Sequence, residues 1–247
     1  METTGWFGGL TGLLLGLTLG SFVGMASWRW PREENWLAPS HCPTCNRRLG
    51  ISDLVPVLSW LIAGGKSRCC KTPVSPRYPL IELATALPCA LAGWHYGISP
   101  EPLLLCGLFA TLVFLSTVDL DTGLIPDGSQ ILILLLGSGW LYLHPPEVWW
   151  MPLLTLLQTA GVGILLAGGY SFLRKRDMMG WGDVKLMAVS ALWLPPSLAP
   201  VYLAASGFSG LLFGLWWTRK RHNPEFPFGP ALAATLGLLI GWQALWH

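Results

Sequence analysis

The sequence predicts an all-α membrane protein, a bundle of about eight transmembrane helices with one small domain outside the bilayer. Three observations predict this fold class: the composition, the length of the uncharged runs and the placement of the basic residues. Hydrophobic residues make up 52% of the 247-residue chain and charged residues only 11%, whereas a soluble domain carries about 25% charged residues. The composition therefore excludes a soluble enzyme or binding module with an ordinary polar surface.

The uncharged runs are long enough to form membrane spans. A span needs about 20 apolar residues, because a helix rises only about 1.5 Å per residue across the hydrocarbon core. The runs predict spans at 6–27, 80–97, 102–118, 129–144, 152–173, 185–198, 199–218 and 228–246. No charge separates the sixth span from the seventh, and we place the break at Pro195, Pro196 and Pro200, since proline ends a helix.

The basic residues predict which side of the membrane faces the cytoplasm. All fifteen Lys and Arg residues lie after the first, fifth and seventh predicted spans or, for Lys185, at the start of the sixth. With eight spans, these loops and the one that holds Asp119 share one side, which the positive-inside rule assigns to the cytoplasm. Both termini are then periplasmic. The first run has no basic segment before it, so we expect a retained span rather than a cleaved signal peptide.

Three segments follow from this topology. The first span occupies 1–27, a cytoplasmic loop domain occupies 28–79, and a core of seven spans occupies 80–247. The loop domain is short for a hydrophobic core of its own, so it needs a further stabilising element such as a metal ion.

Two aspartates at the edges of predicted spans are the candidate catalytic residues. Asp119 closes the third span and Asp183 precedes the sixth, so both fall on the predicted cytoplasmic face. Ionisable groups in such positions are costly and usually functional. Two carboxylates held close share a proton, so the ionised one activates a water while the protonated one polarises a peptide carbonyl. The pattern predicts a protease; the alternative is that both carboxylates only cap helices or pair with nearby basic side chains.

Three further aspartates lie near these two. Asp121 and Asp127 follow Asp119 closely and are equally acidic, but Asp119 is nearest the apolar span and is therefore expected to be the most desolvated. Asp127 follows a proline and is predicted to be the N-cap of the fourth span. Asp121 and Asp177 are predicted either to take no part in the site or to modify the properties of the catalytic pair.

The six cysteines divide into two groups. Two lie within predicted spans and are expected to be small apolar core residues. The other four lie in the predicted cytoplasmic loop, where disulfides are disfavoured and metal binding is the commoner use. Four thiolates around zinc would stabilise the short loop domain, whereas the alternative is a reduced loop without metal. These four residues are Cys42, Cys45, Cys69 and Cys70.

Several motifs resemble those of known aspartic proteases. Gly180-Trp181-Gly182-Asp183, followed by Lys185, resembles the signature of the GxGD intramembrane aspartic proteases. The string Asp119-Leu-Asp-Thr-Gly-Leu-Ile-Pro-Asp127 resembles the first-aspartate motif of the bacterial type IV prepilin peptidases. Further matches to that family, in its order along the chain, are Gly20-Ser21-Phe22, Arg29-Trp30-Pro31, the stretch from Arg77 to Glu82, and Pro227-Phe228-Gly229-Pro230.

The resemblance implies an aspartic endopeptidase that acts at the cytoplasmic face of the bacterial inner membrane. It implies that Asp119 and Asp183 are the catalytic pair. Its substrates would be type IV prepilins or the pseudopilins of type II secretion, cut between a short basic leader and a hydrophobic helix. The lipid bilayer is the other expected partner, and no nucleic-acid partner is expected. Supporting roles are implied for Gly180, Gly182, Lys185, Asp127 and Pro230.

The resemblance also implies a second activity, methylation of the new N-terminus with S-adenosylmethionine, and assigns it to the loop domain at 28–79. The loop of that family carries two Cys-x-x-Cys pairs, and alignment on Cys70 places Ser67 where the third cysteine belongs. Cys42, Cys45 and Cys70 are then the implied zinc ligands, and Cys69 is the substitute for the fourth.

Other functions stay open from the sequence. A transporter or proton-coupled channel would also place aspartates in spans, although it gives no reason for two motifs at one face. A membrane-anchored zinc module that acts as an assembly scaffold would explain the cysteines. Within the enzyme class, the alternative is a peptidase without methyltransferase activity.

Overall fold

The computed structural model describes residues 2–174, 180–221 and 226–246. Regular secondary structure within these ranges is helical, which confirms the all-α prediction, and extended pairing is limited there to two isolated bridges. Short 3-10 turns lie at Trp30–Arg32, Ile51–Asp53, Ala191–Trp193 and Pro196–Leu198. The α-helices are α1 (Glu2–Arg29), α2 (Leu58–Ile62), α3 (Arg77–Tyr96), α4 (Pro100–Thr122), α5 (Asp127–Leu143), α6 (Met151–Arg174), α7 (Trp181–Ser190), α8 (Ala199–Arg221) and α9 (Gly229–Trp246).

Four helical segments among the described residues are long and apolar enough to cross a membrane. They are Gly5–Arg32, Pro100–Thr122, Met151–Gly168 and Pro196–Lys220. These four correspond to the first, third, fifth and seventh predicted spans. Their length and apolar composition are those of a membrane protein. The predicted total of eight spans is not confirmed by this measure.

The predicted sixth span differs most from the structure. It is not a helix over 185–198: α7 covers only Trp181–Ser190, and its ten residues are about 15 Å long. Two 3-10 turns follow, interrupted at Pro195, where the prolines were expected to break the chain. Pro200 does not contribute to the break, because it lies in the first turn of α8, where its missing N–H costs nothing.

The chain forms two compact units, Met1–Phe114 and Leu115–His247. In the first unit, α1 packs closely on α3 through glycines spaced four residues apart. A Cβ atom on Gly16 would lie 2.6 Å from Ala86 Cα, and one on Gly20 would lie 2.7 Å from Glu82 Cα. Small residues at this spacing let two helix backbones approach each other, as in membrane helix pairs.

Two buried polar side chains tie the loop between α1 and α3 to these helices. The Arg29 guanidinium, at the end of α1, donates hydrogen bonds to the backbone carbonyls of Asn35, Trp36, Ala38 and Pro39. The Glu82 carboxylate, on α3, accepts a hydrogen bond from the Val57 N–H at 2.7 Å. Val57 has a φ of 61°, a strained value for a β-branched residue, and the Glu82 contact helps to hold it.

The second unit has a core formed by α5 to α9. Fully buried side chains from four of its helices fill this core: Ile133, Leu186, Tyr202, Leu232 and Leu236. The Tyr202 hydroxyl donates to Ser190 Oγ at 3.2 Å, and the Trp193 indole donates to the Ile133 carbonyl at 3.2 Å. These bonds satisfy polar groups that would otherwise be buried without partners.

Candidate active site and cysteine cluster

Asp119 lies in the last turn of α4, with only 4% of its surface exposed. The helix ends three residues later because Gly123 adopts a φ of 70°, a left-handed conformation that glycine reaches without strain. The Gly123 N–H donates back to the Asp119 carbonyl at 2.8 Å and closes the turn. The carboxylate is therefore held by a short, defined helix end within the second unit.

The first turn of α9 supplies the partner of this carboxylate. The Gly229 N–H donates to Asp119 Oδ2 at 2.9 Å in a buried position. A Cβ at Gly229 would lie only 2.7 Å from that oxygen, so the backbone approaches this closely only because the residue is glycine. Pro230 follows in the first turn, where a helix tolerates proline. Pro230, which was predicted to support the site, therefore lies one residue after Gly229, whose N–H contacts Asp119.

Asp183 occupies the third position of α7 and is 8% exposed. Its Oδ2 accepts the Gly180 N–H at 3.2 Å, so the aspartate does cap its own helix, as the alternative reading of the sequence expected. Gly182 is packed tightly: a Cβ there would lie 3.1 Å from Ile125 Cβ, and its carbonyl accepts the Gln130 side-chain amide at 3.0 Å.

Ile125 brings the two carboxylates to one place. Its side chain lies against Gly182, one residue before Asp183, and against Gly229, which binds Asp119. Burial, and then the negative charge of the neighbouring Asp119, raise the pKa of Asp183 to about 7. The two predicted aspartates therefore lie in one region of the second unit, on either side of Ile125. Ile125, Gln130 and Gly229 were not predicted as site residues.

The neighbouring charged residues lie outside this buried pair. The prediction that Asp127 is the N-cap of α5 is wrong: Pro126 takes that position, and Asp127 is the first helical residue. The Asp127 carboxylate instead accepts a hydrogen bond from Lys185 Nζ at 2.8 Å, on an exposed surface between α5 and α7. Asp121 is exposed, unlike Asp119, and Asp177 lies outside the described residues.

The raised pKa of Asp183 predicts how peptide cleavage at this site would depend on pH. An ordinary aspartate has a pKa of about 3.9, whereas Asp183 keeps its proton until the pH approaches about 7. A shared-proton mechanism loses that proton as the pH rises further, so the rate should fall in alkaline solution. A pH–rate profile of the purified protein measures this, and a rate that stays flat into alkaline solution would contradict it.

Gly229 gives a second prediction. Gly229→Ala is expected to reduce the rate of chemistry at this site by about 10²-fold, because displacing a catalytic group by roughly 1 Å has an effect of that size. The matched control is Gly241→Ala on the same helix, where a Cβ would meet nothing within 4 Å. Equal rates for the two variants would show that Asp119 does not depend on its contact with Gly229.

The four loop cysteines form a cluster in the first unit. Their four Sγ atoms all lie within 4.8 Å of one another. Cys42 Sγ is 3.7 Å from Cys70 Sγ, Cys69 Sγ is 3.9 Å from Cys70 Sγ, and Cys45 Sγ is 3.1 Å from Cys69 Sγ. These four sulfur atoms could together hold one metal ion, so Cys69 belongs to the cluster as fully as the other three.

Two similar backbone turns build the cluster. In the first, the Cys42 N–H donates to the Arg47 carbonyl and the Asn46 N–H donates back to Cys42. In the second, the Ser67 N–H donates to Thr72 and the Lys71 N–H donates back to Ser67. Ser67 therefore stands at the position that Cys42 occupies in the first turn, and its Oγ lies 3.0 Å from the neighbouring Cys69 sulfur.

The thiols of the cluster differ in acidity. Hydrogen bonds from the Cys45 N–H, the Ser67 hydroxyl and the Thr44 N–H lower the pKa of Cys42 to about 5. At Cys45 the Arg47 N–H acts in the same direction, but the neighbouring thiols, Cys69 first among them, outweigh it and raise the pKa to about 12. Neighbouring thiols thus share protons unequally, and Cys42 carries the most thiolate character, the form that binds metals.

Two family models match the chain. Residues 14–96 match the bacterial Peptidase A24 N-terminal domain, and residues 106–215 match the type IV leader peptidase family. The cysteine cluster falls in the first range and both aspartates fall in the second.

Curated relatives span almost the whole chain. A prepilin leader peptidase/N-methyltransferase of Dickeya chrysanthemi is 34% identical, over 94% of this chain and 93% of its own length. A protein of the same name from Pseudomonas putida is 33% identical, over 94% of this chain and 88% of its own. Another, from Pseudomonas aeruginosa, is 31% identical over the same two shares. No solved structure matches the chain significantly.

Proposed function

This chain belongs to the type IV leader peptidase family, and we propose that it removes the basic leader from type IV prepilins or type II secretion pseudopilins and methylates the new N-terminal residue. The observation that carries the peptidase proposal is that Asp119 and Asp183 are both buried around Ile125 within one unit. Two neighbouring carboxylates with one shared proton are suited to peptide hydrolysis.

The two aspartates divide the chemistry. Asp119, oriented by the Gly229 N–H, removes a proton from a water molecule, and the resulting hydroxide attacks the scissile carbonyl carbon. Asp183 donates its proton to the carbonyl oxygen as the tetrahedral intermediate forms. Asp119 then gives the proton it took from water to the departing amine, the peptide C–N bond breaks, and the intermediate's hydroxyl returns a proton to Asp183.

Gly180 supports this site through its N–H, which donates to Asp183 Oδ2, and Gly182 supports it by letting Ile125 pack closely beside Asp183. Lys185 and Asp127 link α7 to α5 at the surface, so they support the position of the site without entering it.

Methylation requires S-adenosylmethionine, which supplies the methyl group when bound. The described residues form no glycine-rich turn from a strand into a helix, the arrangement that commonly holds such nucleotides. Methylation is therefore proposed from the names of the relatives alone, no residue is assigned to it, and a peptidase without methyltransferase activity is the alternative.

Zinc is the metal proposed for the cysteine cluster. A tetrahedral site with zinc–sulfur distances of about 2.3 Å has sulfur–sulfur edges of about 3.8 Å. The distances from Cys70 Sγ to Cys42 Sγ and Cys69 Sγ, 3.7 and 3.9 Å, fit this geometry, and Cys45 Sγ and Cys69 Sγ, 3.1 Å apart, would separate slightly to bind the ion. Bound through four thiolates, zinc would hold together the loop domain at 28–79.

The proposed topology retains eight crossings of the bacterial inner membrane, with periplasmic termini and a cytoplasmic catalytic face. The sixth crossing would cover 185–198, which begins within α7 after Asp183 and continues through the turns that follow the helix. Irregular backbone is tolerated within a bilayer where protein buries it, and Trp193 and Leu194 in this segment are buried.

The proposed function is tested by incubating the detergent-purified protein with a prepilin and measuring the product mass. We expect loss of the leader, and a further mass increase of one methyl group when S-adenosylmethionine is added. An uncut prepilin would contradict the proposal, and cleavage without methylation would favour the peptidase-only alternative. Proton or solute flux through reconstituted protein would instead support a transporter.

A further inference from the structure

The loop between α1 and α3 carries a row of exposed apolar side chains that the proposed function does not use. Between residues 51 and 62 almost every large apolar residue is exposed, up to 89% for Ile51 and 75% for Ile62. We call this set the apolar ridge, and its members are Ile51, Leu54, Val55, Leu58, Leu61 and Ile62.

The helix in this segment has a fixed inner face. The Trp60 indole donates to the Val74 carbonyl at 3.0 Å. Its ring packs against Gly65, where a Cβ atom would lie only 3.1 Å from the ring. Trp60 therefore holds α2 against the rest of the loop. Positions i, i+3 and i+4 share one helix face, and at these positions the outer face of α2 presents only Leu58, Leu61 and Ile62.

The loop that carries the ridge is cationic. Segment 28–79 contains eight basic and three acidic residues, a net charge of +5. Within 51–62 the one charged residue is Asp53, and Arg68 pairs with it at 3.5 Å. An exposed apolar face within a cationic segment is typical of segments that bind anionic membrane interfaces. The exposed basic residues of the loop are Arg32, Arg47, Arg48, Lys66, Arg68 and Lys71.

Chain connectivity keeps the ridge near a bilayer. The loop leaves α1 and returns into α3, and these two helices pack closely along their glycines. Arg29 and Glu82 also fasten the loop to the ends of the same two helices. In the proposed topology the loop therefore begins and ends at one membrane face.

We propose that the apolar ridge inserts into the cytoplasmic leaflet among anionic lipid headgroups, so that the cysteine loop lies on the membrane surface. Charge favours lipid over the other occupants. A basic leader peptide would be repelled by the cationic loop, and a second copy of the chain would bring two cationic surfaces together. The inference depends on the proposed membrane topology but not on the peptidase chemistry.

The test uses the full chain in lipid nanodiscs that contain phosphatidylglycerol with a photoreactive diazirine on its acyl chain. After irradiation and digestion, mass spectrometry maps the lipid adducts. We expect adducts within 51–62 as well as on α4 and α8. In a neutral bilayer, where phosphatidylcholine carries the same diazirine, labelling of 51–62 should be several-fold lower. Labelling of α4 and α8 should be unchanged.

A pair of variants makes the test specific. The double variant Leu61→Glu with Ile62→Glu should lower labelling of the loop about 10²-fold, since burial of each of the two apolar side chains contributes about tenfold to partitioning. The control Leu61→Met with Ile62→Val keeps the apolar surface and should label as the wild type does. Thermal unfolding should be similar in both variants, because the side chains are exposed.

Three results would overturn the inference. Labelled α4 and α8 with an unlabelled loop would place the loop away from the membrane and leave the peptidase proposal untouched. Adducts between two chains through 51–62 would identify a second copy as the occupant. Absence of labelling on α4 and α8 as well would show that the membrane topology itself is wrong.

Discussion

Replacing either Asp119 or Asp183 by Asn is expected to abolish leader cleavage, with kcat lower by about 10³-fold or more. Asparagine has nearly the same shape but cannot exchange a proton, so a shared-proton mechanism fails with either residue changed. Because the two carboxylates act as a unit, the double variant should be no slower than the single variants. The measurement is cleavage of a prepilin by each variant, after its helical content and thermal unfolding are shown to match the wild type.

The controls are Asp121→Asn and Asp127→Asn, since both side chains are exposed outside the buried pair and Asn at 127 can still accept the hydrogen bond from Lys185. Their rates should stay near that of the wild type. Full cleavage by a folded Asp119→Asn protein together with loss in Asp121→Asn would move the first catalytic residue to Asp121. Retained cleavage in both folded variants of the pair would rule out the mechanism.

The second large effect is expected at the cysteine cluster. Cys45→Ser or Cys70→Ser should lower bound zinc from one ion per chain to well below that. The loop domain should then become sensitive to protease, because structural zinc contributes roughly 10 kcal/mol of binding free energy to a small domain. Cys45 suits this test since its side chain is exposed, so the substitution leaves no cavity. Metal analysis and limited proteolysis of the purified protein measure the two effects.

The similarity of the two turns supplies a matched control. A double variant, Ser67→Cys with Cys69→Ser, moves the fourth thiol to the position equivalent to Cys42 and should retain zinc. If Cys45→Ser kept its zinc, the cluster would not be the metal site, and a reduced loop without metal would be the better description.

The proximity of Asp119 and Asp183 could be predicted because it depends on the order of the membrane spans along the chain. Each lies at an end of an apolar run, and the positions of the basic residues predict that both ends lie on one face. Whether two span ends lie on the same face depends only on the number of spans between them. The prediction therefore stands even when each boundary is misplaced by several residues. The limits of α4 and α9 were likewise close to prediction, since a glycine and a proline mark them locally.

The extent of α7 could not be read from the sequence. The run from 186 to 218 has no charge, so hydropathy alone cannot separate a helix from apolar 3-10 turns. Trp193 stabilises those turns by bonding to the Ile133 carbonyl, a contact between positions sixty residues apart. The prediction that Asp127 is an N-cap was wrong for a related reason, because Lys185, its actual partner, lies near it only in the folded chain.

Two local signals were present in the sequence and could have been used. Glycines recur every four residues at 8, 12, 16 and 20, which indicates a close helix pair. The second is the glycine of Pro227-Phe228-Gly229-Pro230, whose lack of a side chain allows the contact with Asp119. Ile125 and Gln130 gave no such signal, since their roles follow from packing alone.

The pairing of Asp119 and Asp183 is tested most directly by binding of a prepilin peptide whose scissile bond is replaced by a hydroxyethylene group. Such an analogue resembles the tetrahedral intermediate and requires both carboxylates at once. Wild-type protein should bind it tightly, folded Asp119→Asn and Asp183→Asn proteins about 10²-fold more weakly, and Asp127→Asn as the wild type does. Equal affinity for all four proteins would contradict a shared aspartate site.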